Sequence, residues 1–244
     1  MTTGHLVRSL DELPRCRAVL LDVAPAQLLS LGGPRLPRWY RAALTRYRYG
    51  PGVCKVDWAL DGPVPWSAEA CRRAGTVHVG GTLAEVAQGE AAVAAGRHPE
   101  RPFCIVAQPA VVDRTRAPGS GHTLWAYCHV PAGSTVDMTD RIETQIERFA
   151  PGFRHRILAR ATRTASETAA YNPNYVGGDI NTGAATLLQT VFRPVPRWNP
   201  YRTGVPGLYL CSAATPPGGG VHGMCGVGAA SVALADMGLT RSTA

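Results

Sequence analysis

At 244 residues the chain can build one large domain or two smaller ones, and 45% hydrophobic against 17% charged residues is the balance of a folded globular protein. No run approaches the roughly eighteen apolar residues of a membrane-spanning helix, and residues 1–11 lack the basic start and apolar stretch of a secretory signal, so the sequence reads as cytoplasmic. The net charge of +8 is not gathered into a nucleic-acid groove: Lys55 is the only lysine, and the arginines run along the whole chain. They are densest at Arg35, Arg38, Arg41, Arg46 and Arg48, which reads as a solvated basic face and leaves peripheral contact with anionic lipid headgroups open. The seven cysteines are odd in number, scattered and never in a C-x-x-C pair, which argues against a disulfide framework and against a structural zinc site. Those in apolar runs, such as Cys104 within Phe103-Cys104-Ile105-Val106, read as small buried hydrophobes.

The first element is Ala18-Val19-Leu20-Leu21-Asp22-Val23, an apolar run without alternation, as expected of a strand covered on both faces in a parallel sheet. A helical stretch follows Ala24-Pro25 and stops at Gly32-Gly33-Pro34. From Tyr47 the texture changes. Residues 55–60 alternate like a half-buried strand, residues 76–79 form a short β candidate, and residues 82–95 are an Ala- and Glu-rich helix ending at Gly96. Two strands at 103–108 and 122–130 follow, joined by a loop with Pro118-Gly119-Ser120-Gly121. A helix over 139–149 carries Ile142, Ile146 and Phe149 on one face, and a last strand spans 156–164. This order predicts an antiparallel sheet with helices on one face. The final third returns to the first texture. Residues 207–212 are a second continuous apolar strand, followed by a Pro/Gly loop and a small-residue helix over about 222–237. The fold class expected is α/β, α+β overall. An α/β domain made of residues 1–46 and 169–244 is interrupted by an antiparallel domain over 47–168.

Gly218-Gly219-Gly220-Val221-His222-Gly223 matches G-x-G-x-x-G, yet it is not read as a dinucleotide fingerprint. Ala214-Thr215-Pro216-Pro217 separates it from the strand, where the fingerprint needs a tight turn, and no later strand supplies the acidic ribose ligand; Asp236 lies inside the helix. The physics is still informative. A strand, a turn without side chains and a helix N-terminus bring unpaired N–H groups close to a ligand, although tight helix–sheet packing needs the same small residues.

Gly207-Leu208-Tyr209-Leu210 through Thr215-Pro216-Pro217-Gly218-Gly219-Gly220-Val221-His222-Gly223-Met224 resembles the C-terminal flavin-binding motif of phytoene-desaturase-like FAD oxidoreductases, relatives of the flavin amine oxidases. Trp58-Ala59-Leu60-Asp61-Gly62-Pro63-Val64-Pro65-Trp66, Asn172-Pro173-Asn174-Tyr175-Val176-Gly177-Gly178-Asp179 and Arg193-Pro194-Val195-Pro196 are also similar to that family. The resemblance implies a Rossmann-like FAD domain with an inserted substrate domain, FAD as cofactor and oxidation of a small apolar, isoprenoid-type substrate. It implies that Ser212 and Ala213 lie along the ribityl and pyrophosphate side of FAD. Gly220, Val221, His222, Gly223 and Met224 would meet the pyrimidine edge of the flavin ring. Nothing before Ala18 matches the family's N-terminal G-x-G-x-x-G, so the sequence is expected to be the C-terminal part of such an enzyme. An N-terminal partner chain or a homo-oligomer would then complete it. The competing reading is a truncated, non-catalytic remnant that binds a lipid or a partner chain without FAD. No catalytic residue and no metal ligand can be singled out. His222 is the one titratable side chain expected at the flavin edge, with packing or capping as its alternative roles.

Overall fold

The computed structural model describes residues 2–239; residues 1 and 240–244, the outer ends of the expected segments 1–46 and 169–244, lie outside the described residues. The chain divides into two compact units. One holds residues 2–50, 172–176 and 180–239; the other holds Pro51–Tyr171 with Gly177–Asp179.

The first, a parallel-sheet unit, opens with strand β1 (Val19–Leu21) and helices α1 (Pro25–Gly32) and α2 (Arg38–Thr45), and ends with α8 (Leu187–Val191), β7 (Leu208–Leu210) and α9 (Met224–Asp236). β1 and β7 pair in parallel, Leu20 opposite Tyr209, although nearly the whole chain separates them. Val19 N–H donates to Gly207 O at 2.8 Å, and Cys211 N–H donates to Leu21 O at 2.9 Å, which extends the ladder at both ends. β7 is buried throughout, as its unbroken apolar run predicts. β1 departs from that expectation: Leu20 is 40% exposed, because among the described residues β1 has one neighbour and the opposite side of Leu20 faces outward. The core gathers Leu28, Leu36, Tyr40, Leu44, Val195, Leu208 and Leu210. The Asn-rich segment ties α1 down. Asn174 Oδ1 accepts the Ala24 N–H at 2.8 Å, and Tyr49 Oη accepts the Ala26 N–H at 2.9 Å, so the orphan donors of the first turn find partners.

The antiparallel-sheet unit contains β2 (Gly52–Leu60), α3 (Glu69–Arg73), β3 (Thr76–Val79), α4 (Leu83–Ala94), β4 (Cys104–Ala107), α5 (Pro109–Val112), β5 (His122–Val130), α6 (Thr139–Glu147), β6 (Ile157–Arg163) and α7 (Ala165–Tyr171). Its five strands run in the order β3-β4-β5-β2-β6, every pair antiparallel. Alternation decides the faces. Cys54, Val56, Trp58 and Leu60 from β2 and Leu124, Ala126, Cys128 and Val130 from β5 point into a core closed by Met138, Ile142 and Ile146. Several buried polar groups there are matched, while Gln145 Nε2 is left without a partner. Trp58 Nε1 donates to Glu143 Oε1 at 3.0 Å, Arg160 pairs with the same carboxylate, and Trp66 Nε1 donates to Gln108 Oε1 at 2.9 Å. Thr82 and Glu85 form a capping box at the start of α4.

All seven cysteines are free. Cys54, Cys104 and Cys128 lie side by side across β2, β5 and β4, fully buried. Burial pushes the Cys54 thiol up to about 11 and raises Cys104 and Cys128 as well, which marks them as packing residues. No helix among the described residues is long and apolar enough to cross a membrane.

Candidate functional site

After β7 the chain does not turn at once into α9. Residues 211–223 first make a tied turn and then an untied one. In the tied part Thr215 N–H and Thr215 Oγ1 both donate to Ser212 O, at 2.9 and 2.7 Å, and Gly218 N–H donates to Thr215 O at 2.9 Å. Tyr201 Oη donates to Pro216 O at 3.0 Å, and Cys225 Sγ lies 3.4 Å from Gly218 O. Ser212, Ala214 and Thr215 are buried. The two Pro-flanked positions thus anchor the turn to the body of the unit.

The second part, 219–223, is open. Val221 is fully exposed and Met224 is 50% exposed. Gly218, Gly220 and Gly223 have φ of +106°, +153° and +65°, values that glycine tolerates and branched residues do not. Added Cβ atoms at Gly223 and Gly226 would meet nothing within 4 Å, so the main chain at the start of α9 is reachable from outside. The N–H groups of residues 219–223 donate to no acceptor among the described residues. The His222 ring packs over Gly220 and the Arg193 guanidinium over Gly218, so the open approach is at Gly223, where exposed N–H groups and a helix N-terminus suit a flat, electron-rich group. The residues present therefore fit the flavin that the motif implies.

Of the residues expected at the ring edge, Gly220, Val221, His222, Gly223 and Met224 lie on this one exposed segment, with Ser212 and Ala213 at the strand end below it. α9 begins at Met224 with Gly223 as its N-cap, so His222 stands just outside the helix. Its Nδ1 accepts the Met224 N–H at 3.0 Å, which makes the imidazole a capping group.

One residue escaped the reading of the sequence. Arg193 is buried, its Nη1 donates to Ala213 O at 3.1 Å, and its Nε has no partner. An unsatisfied buried donor costs about 1–3 kcal/mol. Its only signal was an arginine set between Phe192 and Pro194 in a segment otherwise noted for resemblance.

The antiparallel unit carries a second feature, on the sheet face away from its core. Trp125 and Tyr127 stack at 6.2 Å with planes 10° apart, His129 continues the row, and Lys55 Nζ sits 5.6 Å over the Trp125 ring. His129 Nδ1 is held by Glu90 at 2.8 Å. The alternation of His122–Val130 already put these side chains on one face, but alternation alone does not say that a face is aromatic for a purpose.

No family model matches the chain. Over 150 residues it is 35% identical to the mouse (Mus musculus) pyridine nucleotide-disulfide oxidoreductase domain-containing protein 2, a match covering 57% of this chain and 26% of that protein. The rat (Rattus norvegicus) counterpart is 34% identical over the same length, with the same coverage. The chain spans about a quarter of the length of these curated relatives. Among solved structures, an oxidoreductase from Methanosarcina mazei superposes with a TM-score of 0.51 at 15% identity, covering 94% of this chain and 44% of that one. A triple mutant of putrescine oxidase, made to redesign its cofactor binding, gives a TM-score of 0.55 at 16% identity, covering 91% of this chain and 42% of that one. The fold is that of the FAD-dependent oxidases. By their names the sequence relatives carry a pyridine nucleotide-disulfide oxidoreductase domain, and the solved structures that share the fold are oxidoreductases.

Proposed function

We propose that this chain is the C-terminal part of an FAD-dependent dehydrogenase or desaturase of the phytoene-desaturase-like type, acting on an apolar, isoprenoid-like substrate. The observation that carries the reading is the open glycine turn between β7 and α9, with free N–H donors at a helix N-terminus. The flavin, when bound, would accept a hydride from a substrate carbon. The chain's own part is positioning. Gly223 lets the ring approach the main chain, and the α9 N-terminus favours negative charge at the ring edge. A helix end worth about 1 kcal/mol raises a two-electron potential by roughly 20 mV, so α9 tunes the cofactor and does not create its reactivity. His222, capping α9, is not needed as a proton donor. The apolar substrate is supported by the Trp125–Tyr127 row, whose stacked rings offer a flat hydrocarbon-compatible surface.

A second reading has its own observation. Leu187, Leu188, Val191, Phe192 and Trp198 are all strongly exposed, as a surface docking a lipid or a partner chain would be. In that reading no flavin is held.

FAD titration into the 15N-labelled chain separates the two. The expected result is a shift of the amides of Gly219 to Met224, with the flavin lost on gel filtration. Within this chain no G-x-G-x-x-G follows a strand directly, and about 4 kcal/mol of lost phosphate contacts weakens binding about a thousandfold. Unmoved amides at millimolar FAD would sink the flavin reading, and a stoichiometric yellow complex after gel filtration would sink the expected weakness.

A further inference from the structure

Helix α8 is inside out. Its Gln189 is buried, while Leu187 is 92% exposed, Leu188 is 69% exposed, and Val191 and Phe192 face solvent after them. Hydrogen bonds fix this inversion. Gln189 Oε1 accepts the Arg48 N–H at 2.7 Å, and its Nε2 donates to Arg48 O at 2.9 Å and to Ala184 O at 3.1 Å. Thr186 Oγ1 caps the turn by accepting the Gln189 N–H at 3.2 Å. The glutamine is thus held in and the leucines are held out, so the exposed face is a contact surface. Charge decides what covers it. Arg48, to which α8 is tied, is exposed, and so is Arg46. α2, which leads into them, adds the exposed Arg38, Trp39 and Arg41. None of these four arginines enters an ion pair among the described residues. Residues 36–50 and 180–205 together hold seven arginines and neither Asp nor Glu. A second copy meeting this face through a two-fold axis would set these cations against themselves. An anionic bilayer complements both features: apolar side chains enter the acyl boundary, and guanidiniums stay among the phosphates.

We propose that α8 is a membrane-surface anchor, inserting Leu187, Leu188, Val191 and Phe192 into an anionic lipid bilayer whose phosphates Arg46 and Arg48 hold. The anchor takes its apolar residues from the second reading above, but it neither needs nor excludes a flavin. A failed FAD titration therefore leaves it standing, and a failed vesicle titration leaves the flavin reading standing.

Co-sedimentation with vesicles tests the anchor, using phosphatidylcholine alone and phosphatidylcholine with about one third phosphatidylglycerol. The wild-type chain should bind the anionic vesicles, bind the neutral ones about 10-fold more weakly or less, and be released from the anionic ones as salt rises. L187S/L188S removes two inserted side chains and should weaken anionic binding by about 10- to 100-fold. R46Q/R48Q removes two cations and should weaken it by about 30-fold, with little change on neutral vesicles. Both variants alter exposed groups and should keep the wild-type thermal transition. If the serine variant loses that transition, the lipid and salt dependence of the wild type, together with R46Q/R48Q, decides. The proposal is overturned if the wild-type chain binds neither vesicle, if it binds both equally, or if either folded variant binds the anionic vesicles like wild type. Light scattering on the lipid-free chain separates the remaining occupant: a dimer abolished by L187S/L188S, without vesicle binding, assigns the face to a second copy and overturns the membrane anchor.

Discussion

The two units of this protein each leave a buried polar atom unpaired, but in different surroundings. In the antiparallel unit, the buried Trp58, Trp66 and Glu143 all have partners, Gln145 Nε2 does not, and the sheet face that needs covering is covered. In the parallel-sheet unit, Arg193 and Tyr40 keep buried polar atoms unpaired, an α9 N-terminus is left open, and a row of large apolar side chains from Leu187 to Trp198 is exposed. What sets the parallel-sheet unit apart is that its unpaired arginine lies beside an open helix N-terminus, whereas Gln145 of the antiparallel unit lies within a closed core. Departures from self-consistency are where function is to be sought.

The comparison breaks most sharply at Trp58. Trp58→Ala removes a buried ring that packs edge-on against Phe153 and takes one donor from the Glu143 carboxylate, which Arg160 still pairs. A loss of about 3–5 kcal/mol is expected. Thermal unfolding should show it as a large fall in Tm; a change of a degree or two would mean that the antiparallel core is far more plastic than its packing implies.

A middling effect is expected at the turn. Gly223→Val places a β-branched residue at φ +65°, a strain of order 1–3 kcal/mol. His222→Ala removes one cap hydrogen bond, about 0.5–1.5 kcal/mol. Differential scanning calorimetry should rank them in that order, and any flavin affinity should fall further in the valine variant because the branched side chain stands where the ring approaches. Equal losses of flavin would mean that the turn is misplaced as the ring-edge site.

The smallest effect is electrostatic and sharpens the picture of the scaffold. The Glu85 carboxylate accepts from the Thr82 N–H, Arg148 and Arg101, which together hold its pKa down at about 2. A depressed carboxylate contributes stability that is fully present above its unfolded value, near 4.3, and is lost as pH falls toward 2. Glu85→Gln should therefore lower Tm slightly at neutral pH and flatten the stability profile below about pH 4.3. Asp236, held low by Arg202 and Tyr209, gives the parallel-sheet unit an acid dependence of the same sign, which Glu85→Gln should leave untouched. An unchanged acid profile in the Gln variant would show that the Arg101 and Arg148 contacts are too exposed to matter.

Much of this architecture could be read locally. Strand periodicity in residues 55–60 and 122–130, the Thr82–Glu85 capping box and the Pro/Gly stops are all set by neighbours within a few positions, so composition and spacing reveal them. The glycine turn before α9 belongs to the same class: φ requirements are written in the residue itself. By contrast, the parallel pairing of Val19 with Leu208 joins distant ends of the chain, and similar texture in two apolar runs could suggest a shared region but not a register. The exposure of Leu20 was likewise decided by how many strands flank β1, which no single segment encodes. Arg193 is the plainest case. Its type and position were visible in Phe192-Arg193-Pro194, but an arginine in sequence looks solvated by default. Only the folding of Ala213 and Gly218 around its guanidinium turned a surface charge into a buried one, because burial and pairing belong to the neighbours a side chain acquires in space.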